Sequence, residues 1–379
     1  MLKTMPCPIC GTQVEYAIEN SPEWYRDPSL PIYRIDCHEK CRRYWLAAIS
    51  DPQPQIDPAI LSILDGLNDK QRMFISESTQ RVCDTDSWVI YDSSELQRLV
   101  NDYHYAKAAI MLYGWRNATF QVSGTGLDAE NRLFFVESEG IRWTLRLHQL
   151  GASVDKVRSE IYWLKALWNE AKVKTLAPVP GCAGELVQCL SGNALPVRYA
   201  TAYNWIPGKT LNLLSEDEKT PELIRSLGTM LGRMHALSET LKLPHWFIRP
   251  RYNIDWINLK VEKAFGTDYK LYSSRELEKL STVSSRFSRF AAEHAEGRHV
   301  FGLINLDFEP HNIVISETQP CPIDMVHLGF GYYISDILNV SRCFDTDEQP
   351  IFFEGYQEIR SLPKDYRQQF ALFDDIGLL

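Results

Sequence analysis

Among the side chains within residues 302–336 that can supply oxygen ligands, three have a spacing that could do chemistry. Asp307 is followed five positions later by Asn312, and Asp324 comes after an apolar run, a turn and a second apolar run. Phosphoryl transfer needs a carboxylate that orients the attacking hydroxyl and accepts its proton, together with oxygen ligands that hold Mg²⁺ against the nucleotide phosphates. Asp307 suits the first task, and Asn312 and Asp324 suit the second, because Mg²⁺ prefers oxygen donors. The pattern predicts phosphoryl transfer with Mg²⁺ and ATP as cofactors.

An Asp and an Asn at this spacing also occur in ordinary turns, so the elements around them must be considered. Two serines, Ser93 and Ser94, predict the start of a helix. Runs rich in β-branched and aromatic residues predict successive antiparallel strands at residues 108–113, 119–123, 132–137 and 141–148. Later segments predict a helix at 157–168, a strand at 199–205, helices at 221–237 and 274–295, a strand at 313–315 and an apolar segment at 321–323. Strands followed by helices favour an α+β chain, in which a small antiparallel sheet lobe joins a larger helical lobe through residues 203–208.

The first 49 residues contain a separate candidate metal site. Cys7 and Cys10 are separated by two residues, so their thiolates can share one ion, and Cys37 and Cys41 form a second pair. Such a closed set of four ligands predicts a structural Zn²⁺ site, which a unit too small for a core would need. His38 competes as a ligand, and free cysteines in a small appendage are the alternative.

The segment between the two cysteine pairs predicts a strand at residues 32–35, and the unit resembles a zinc ribbon. Its balanced charges favour a protein partner over nucleic acid. A linker rich in Pro, Asp and Gln follows at 51–58, and then a helical stretch at 59–80 with one apolar stripe. The predicted divisions are a zinc-ribbon-like domain at 1–50, a linker and helical connector at 51–91, a sheet lobe at 92–205 and a helical lobe at 206–379.

The composition excludes several classes of protein. The chain has 379 residues, 45% of them hydrophobic, with a net charge of -9. This charge argues against nucleic-acid and membrane-surface binding, because phosphate backbones and anionic lipids attract an excess of Lys and Arg. No apolar run approaches the roughly 20 residues that span a bilayer, and the start lacks a hydrophobic signal core. The nine cysteines suit a reducing compartment with one metal site, so a cytoplasmic location is predicted.

The segment GLINLDFEPHNIVISETQPCPIDMVHLGFGYYISD resembles the signature of the aminoglycoside phosphotransferase family, which is part of the protein-kinase-like superfamily. Further motifs agree in order: NATFQV at 117–122, LRL at 145–147, ATAYNWIPG at 200–208, LGRMHAL at 231–237 and FFEGYQEIR at 352–360. The resemblance covers about residues 92–360. It implies a two-lobed protein-kinase-like fold and an ATP-dependent phosphotransferase, with Asp307 as the catalytic carboxylate and Asn312 and Asp324 as the metal ligands.

The resemblance also implies a nucleotide site. Arg146 would contact the phosphates, and Glu160, from a helix, would pair with Arg146. The other matching residues would stand over the nucleotide or lie in the hinge that hydrogen-bonds adenine. The implied nucleotide-binding residues are Arg146, Glu160, Asn117, Thr119, Asn204 and Trp205.

This chain departs from the family pattern around its acidic residues. Asn305 and Leu306 stand where the family has His and Gly before the catalytic Asp. Residues 325–327, Met-Val-His, replace Phe-Asp-Asp, which lowers the negative charge of the metal site but leaves its two main ligands. Asp336 is expected to support the loop by accepting backbone N–H bonds, and His235 is expected to be structural.

Three functions remain open. The leading hypothesis is a kinase for a hydroxyl of a small molecule, of the aminoglycoside, choline or homoserine kinase class. The acceptor would be contacted by the helical lobe, at residues 249–256 and 335–344. A Ser/Thr protein kinase is the second hypothesis, although the segment between Asp324 and Asp336 is too short for a phosphorylatable activation segment. The third is a degenerate kinase fold that binds nucleotide or protein.

Overall fold

The computed structural model describes residues 3–6, 13–19, 32–35, 93–123, 131–192, 195–266 and 273–376. The chain divides into two compact units, one of Met1–Ala152 with Val179–Tyr203, the other of Ser153–Pro178 with Asn204–Leu379. Residues 153–178, which the sequence-based division assigns to the sheet lobe, lie in the second unit. The zinc-ribbon cysteines Cys7, Cys10, Cys37 and Cys41, His38, the linker at 51–58 and the helical stretch at 59–80 lie outside the described residues, so they stay predictions.

The start of the first unit has a three-stranded antiparallel sheet, in the order β1-β2-β3. Its strands are β1 (Lys3–Pro6), β2 (Gln13–Glu19) and β3 (Ile32–Ile35). The register pairs Tyr16 of β2 with Lys3 on one side and with Ile35 on the other. The predicted strand at residues 32–35 is confirmed.

The first unit continues with a helix and a larger sheet. These elements are α1 (Ser93–Leu112), β4 (Thr119–Ser123), β5 (Arg132–Ser138), β6 (Ile141–Leu147), β7 (Pro178–Val179), β8 (Val187–Gly192) and β9 (Leu195–Asn204). The sheet order is β4-β5-β6-β9-β7, with β8 paired to β9. Along β5, buried and less buried residues alternate, as expected for a strand with one face on a core. The predicted strands at 119–123, 132–137 and 141–148 are thus confirmed.

The predicted strand at residues 108–113 is wrong. These residues form the last turn of α1 and the turn after it. Four buried residues of the helix and the turn after it, Tyr103, Ala106, Ile110 and Tyr113, are spaced three or four residues apart, as on one helical face. A continuous apolar run is compatible with a strand or a buried helix end, and here packing on the sheet favours the helix.

The second unit contains most of the helices. They are α2 (Val154–Ala166), α3 (Pro221–Thr240), α4 (Ile254–Phe265), α5 (Ser274–Glu293), α6 (Tyr333–Ser341), α7 (Gln349–Gln357) and α8 (Tyr366–Ile376). Helices α3 and α7 pack closely because Gly228 has no side chain; a Cβ there would collide with the backbone of Phe352. The predicted helices at 157–168, 221–237 and 274–295 are confirmed, apart from a π-helical turn, Leu167–Ala171, that follows α2.

Two small antiparallel sheets in the second unit carry the acidic residues of interest. The strands are β10 (Lys209–Thr210), β11 (Phe301–Asn305), β12 (Ile313–Ser316), β13 (Gln319–Pro322) and β14 (Leu328–Tyr332). One sheet has the order β10-β12-β13, and the other pairs β11 with β14. Within the described part of the chain, no helix is long and apolar enough to cross a membrane.

Candidate active site

Asp307 and Asn312 belong to the loop that joins β11 to β12, and they contact each other directly. The side-chain nitrogen of Asn312 donates to Oδ2 of Asp307 and to its backbone oxygen, both at 3.1 Å. A short 3₁₀ turn, Pro310–Asn312, aims the Asn312 side chain, which is buried. Because the amide nitrogen is used by Asp307, the Asn312 side-chain oxygen is the group left to bind a cation.

Asp324 is brought to the same place by the β12-β13 hairpin. The backbone N–H of Ile323 donates to the backbone oxygen of Asn312 at 2.9 Å, which extends the hairpin pairing to the residue before Asp324. The carboxylate of Asp324 accepts the N–H of Val326 at 3.1 Å, and Asn305 donates its side-chain N–H to the Asp324 carbonyl at 2.7 Å. The structure thus gathers all three sequence-predicted residues at one end of the hairpin.

The donor set fits a small divalent cation. Asn312 and Asp324 offer an amide oxygen and a carboxylate, which are hard ligands of the type that Mg²⁺ prefers. Among the described residues, no group of three or more His, Cys, Asp or Glu that could hold a metal ion is present. Zinc binding at the N-terminal cysteines is not tested by this result.

A buried polar network contacts the end of β11, just before the loop that carries Asp307. Asp336, 1% exposed, accepts the backbone N–H of Asn305 at 2.9 Å and lies 3.4 Å from Nε2 of His235. Nδ1 of His235 lies 3.0 Å from the Tyr356 hydroxyl. Burial raises the pKa of Asp336 well above its usual value, although the Asn305 N–H opposes this shift. Burial lowers the pKa of His235 well below its usual value, and the charge of Arg360 adds to that shift. The expected backbone N–H bond to Asp336 is confirmed, and His235 is buried within the same network.

Glu160 lies on α2 in the second unit and is buried. Its carboxylate is 3.8 Å from Nη2 of Arg249, a residue whose contacts the sequence did not predict. The same guanidinium donates to the backbone oxygen of Met325 at 2.6 Å. Arg146, the predicted partner of Glu160, belongs to the first unit, so their pairing stays a prediction.

Arg146 is almost fully buried on β6, and its guanidinium lies over the ring of Tyr203 at 5.6 Å from the centroid. Tyr203 also accepts a hydrogen bond from the hydroxyl of Thr201 at 3.0 Å. Nε2 of His148 lies 2.9 Å from that same hydroxyl oxygen. Tyr203 was missed as a partner of Arg146, although its place in the ATAYNWIPG motif, on a predicted strand, was a usable signal.

The other predicted nucleotide-binding residues lie at strand ends. Asn117 has a left-handed backbone conformation before β4, with φ of 48°, and Thr119 begins β4; both side chains are exposed. Asn204 ends β9, and its side-chain oxygen accepts the N–H of Ala177 at 2.6 Å. Trp205 is 36% exposed. His311 and His327, which lie within residues 302–336, are both exposed.

Comparison with known proteins gives a consistent result. Residues 121–372 match the model of the phosphotransferase enzyme family. A microcompartment-associated aminopropanol kinase is similar in structure, with a TM-score of 0.57 and 22% identity over 72% of this chain and 86% of that chain. An amicoumacin kinase in complex with AMP-PNP, Ca²⁺ and Ami has a TM-score of 0.60 and 18% identity, over 74% of this chain and 84% of that chain.

A spectinomycin phosphotransferase in complex with ADP and spectinomycin has a TM-score of 0.54 and 14% identity, over 73% of this chain and 84% of that chain. At such identities these likenesses establish the fold. No curated protein matches the sequence at a significant level. The α+β, kinase-like fold implied by the sequence motifs is therefore confirmed for the part of the chain after α1.

Proposed function

Since this chain belongs to the phosphotransferase enzyme family, we propose that it transfers the γ-phosphoryl group of Mg-ATP to a hydroxyl of a small molecule. The observation that carries the proposal is the contact of Asn312 with Asp307 beside Asp324. A carboxylate for the hydroxyl and two oxygen ligands for Mg²⁺ are thereby held at one end of a hairpin. These are the groups that phosphoryl transfer requires.

Each residue has a defined task in the proposed reaction. Asp307 orients the acceptor hydroxyl and takes its proton as the new O–P bond forms. The bond between the γ-phosphorus and the bridging oxygen breaks, and ADP leaves. Asn312 and Asp324 would hold Mg²⁺, which neutralises the charge on the phosphate oxygens when it is bound. Arg146 would bind the phosphates and Glu160 would position Arg146.

A small-molecule acceptor is supported by the fold relatives. The three similar structures are described as kinases or phosphotransferases of aminopropanol, amicoumacin and spectinomycin. Two of them contain a nucleotide, and one of these also contains Ca²⁺. We therefore place the acceptor in the class of small hydroxylated metabolites, amino alcohols and aminoglycoside-like compounds.

The alternative of a Ser/Thr protein kinase has less support. The segment after Asp324 turns directly into β14, which pairs with β11, and α6 follows at once. This leaves no long segment whose phosphorylation could order the site. A degenerate fold that binds nucleotide or protein predicts ligand binding without turnover, so measuring both binding and turnover separates it from an enzyme.

The test combines binding and turnover on the full chain. Melting temperature is measured with ATP and Mg²⁺, and ATP consumption is then screened against a panel of hydroxylated metabolites, with a serine-containing protein substrate in parallel. We expect nucleotide stabilisation and acceptor-dependent ADP release, both lost in part or whole in Asp324→Ala. If ATP with Mg²⁺ does not raise the melting temperature, both kinase hypotheses are contradicted. Stabilisation without turnover on any acceptor would favour the degenerate module.

We also propose that the N-terminal unit binds one structural Zn²⁺ through Cys7, Cys10, Cys37 and Cys41 and contacts a protein partner. Metal analysis of the purified chain should give about one zinc per chain, as a closed four-ligand site requires. Cys7→Ser should lose the zinc, whereas Cys182→Ser, at an exposed free thiol, should retain it. His38→Ala tests the competing ligand. No stoichiometric zinc in the unaltered chain would refute the site.

A further inference from the structure

Arg249, the first residue of the segment expected to contact the acceptor, bonds instead to protein groups on two sides. Its side chain is only 6% exposed, and it lies between helix α2 and the loop after Asp324. Nη2 donates to the backbone oxygens of Met325 at 2.6 Å and Val326 at 3.4 Å. Nη2 also lies 3.8 Å from the carboxylate of Glu160 on α2, and Nη1 donates to the backbone oxygen of Lys156 at 3.4 Å. One guanidinium thus connects two elements that are far apart in the sequence.

We infer that Arg249 is a positioning residue that fixes the metal-binding carboxylate of Asp324 by holding the two peptide groups that follow it. The inference rests on the proposed function, because it takes Asp324 to be a ligand of Mg²⁺. In this inference Arg249 is not itself a ligand of the cation. It acts through the backbone of residues 325–326.

The connection from Arg249 to the carboxylate runs through Val326. The N–H of Val326 donates to Oδ1 of Asp324, while the backbone oxygen of Val326 accepts from Arg249. An Asp side chain that bonds the N–H two residues later forms a local turn, and the turn sets the direction of the carboxylate. If residues 325–326 shift, the donor to Oδ1 shifts with them. Groups that orient a metal ligand in this way commonly change metal affinity by about 10- to 100-fold when removed.

The position of Arg249 is itself fixed by its neighbours along the chain. The segment after it pairs with β14: the N–H of Phe330 donates to Pro250 at 2.8 Å, and the N–H of Tyr252 donates to Phe330 at 2.7 Å. The approach is close, since a Cβ on Gly329 would collide with the ring of Tyr252. Arg249 therefore enters the site from a rigid edge next to the loop that it holds.

The sequence of the loop explains the need for such a residue. Residues 325–327 are Met-Val-His, so they provide no acidic side chain beside Asp324. Met325 is fully buried, and its backbone oxygen accepts the N–H of Leu328 at 3.1 Å in addition to the bond from Arg249. Nη2 faces Met325, Val326 and Glu160 while Nη1 donates to Lys156, so the planar guanidinium uses two nitrogens where lysine has one.

The test uses a control arginine with the same type of contacts elsewhere in the second unit. Arg360 donates to the backbone oxygens of His235 and His299 and contacts Glu239, so Arg360→Met removes a similar set of bonds. Apparent Mg²⁺ affinity is measured from melting temperature at fixed AMP-PNP, for the unaltered chain, Arg249→Met, Arg249→Lys and Arg360→Met. Mn²⁺ electron paramagnetic resonance spectra of the same complexes report the ligand geometry directly.

We expect Arg249→Met to weaken Mg²⁺ binding about tenfold and to broaden the Mn²⁺ spectrum. Arg249→Lys should be intermediate and provides the folded variant if the methionine variant does not fold. Arg360→Met should lower the melting temperature with a change in Mg²⁺ affinity of less than about twofold. Two results would overturn the inference. One is that Arg249→Lys binds Mg²⁺ as tightly as the unaltered chain; the other is that the Arg249 and Arg360 variants lose Mg²⁺ affinity to the same extent. If the unaltered chain binds no Mg-nucleotide, the proposed function fails instead.

Discussion

The side-chain N–H of Asn305 donates to the backbone oxygen of Asp324 at 2.7 Å, which joins the end of β11 to the loop that follows β13. Asn305 is itself fixed by a second hydrogen bond, in which its backbone N–H donates to the buried carboxylate of Asp336. The residue that replaces the family histidine therefore connects the two acidic loops with an amide, which does not titrate. Asp307, two residues later, is anchored through the same strand end.

Asn305→Ala should loosen Asp324 without touching the proposed ligands. It leaves the Asp324 carbonyl without its amide donor, and loss of a buried hydrogen bond costs about 1–3 kcal/mol. We expect Mg²⁺ affinity to fall by about tenfold at constant AMP-PNP affinity in the absence of metal. Isothermal titration of both ligands checks this. Thr220→Ala, which removes the N-cap bond of α3, is the control for general destabilisation. Unchanged Mg²⁺ affinity in Asn305→Ala would show that the bond does not orient Asp324.

Asp307→Asn should separate chemistry from binding. The asparagine oxygen can still accept the Asn312 N–H, so the loop should keep its shape, but the amide cannot take a proton. We expect kcat to fall by about 10²- to 10⁴-fold, the usual contribution of a general base, while nucleotide affinity stays within about twofold. A coupled ADP assay and a nucleotide titration provide the two numbers. Retained kcat would remove Asp307 from the catalytic role.

Sequence patterns predicted most of this arrangement because the elements near the site are local. Strand β12, the turn and the approach to Asp324 are encoded by adjacent apolar runs, so the amino-acid pattern alone places Asn312 and Asp324 near each other. Residues 108–113 were misassigned because an apolar run has the same composition in a strand and in a buried helix end.

Arg249 shows what sequence patterns do not contain. Its contact with Met325 is a bond to a backbone oxygen 76 positions away, and backbone oxygens are the same in every residue. Neither residue type carries a sign of this pairing. The Arg146 and Tyr203 contact lies between these cases: the strands were predicted, but which side chains face each other depends on a register that the sequence did not specify.

Tyr203→Leu tests whether the aromatic ring positions Arg146 for the phosphates. A cation over an aromatic ring contributes about 0.5–2 kcal/mol, so removing the ring should weaken AMP-PNP binding by about three- to thirtyfold. Tyr203→Phe keeps the ring and should recover most of that loss. In the Arg146→Met background the Tyr203→Leu change should have little further effect, because the pair is already broken. Binding is measured by titration calorimetry.

The matched control for this prediction is Tyr105→Leu. Tyr105 lies under the guanidinium of Arg198 at 5.4 Å, also buried within the first unit, so its loss removes a pair of the same kind away from Arg146. It should lower the melting temperature but leave nucleotide affinity nearly unchanged. Equal weakening by Tyr105→Leu and Tyr203→Leu would mean that the effect comes from unit stability alone.

The buried pair of Asp336 and His235 should give the folded state opposite pH dependences. Burial raises the pKa of Asp336, so its contribution to stability is present below its unfolded pKa of about 3.9 and is lost as pH rises through the folded value. The lowered pKa of His235 works in the other direction, and costs stability as pH falls below about 6.5.

Asp336→Asn removes only the pH dependence that comes from Asp336, while the asparagine oxygen still accepts the Asn305 N–H. Its free energy of unfolding, relative to the unaltered chain, should therefore increase as pH rises above about 4, by at most about 1.4 kcal/mol per pH unit. Urea unfolding across this range measures the difference, and a difference independent of pH would mean that Asp336 titrates alike in the folded and unfolded chains.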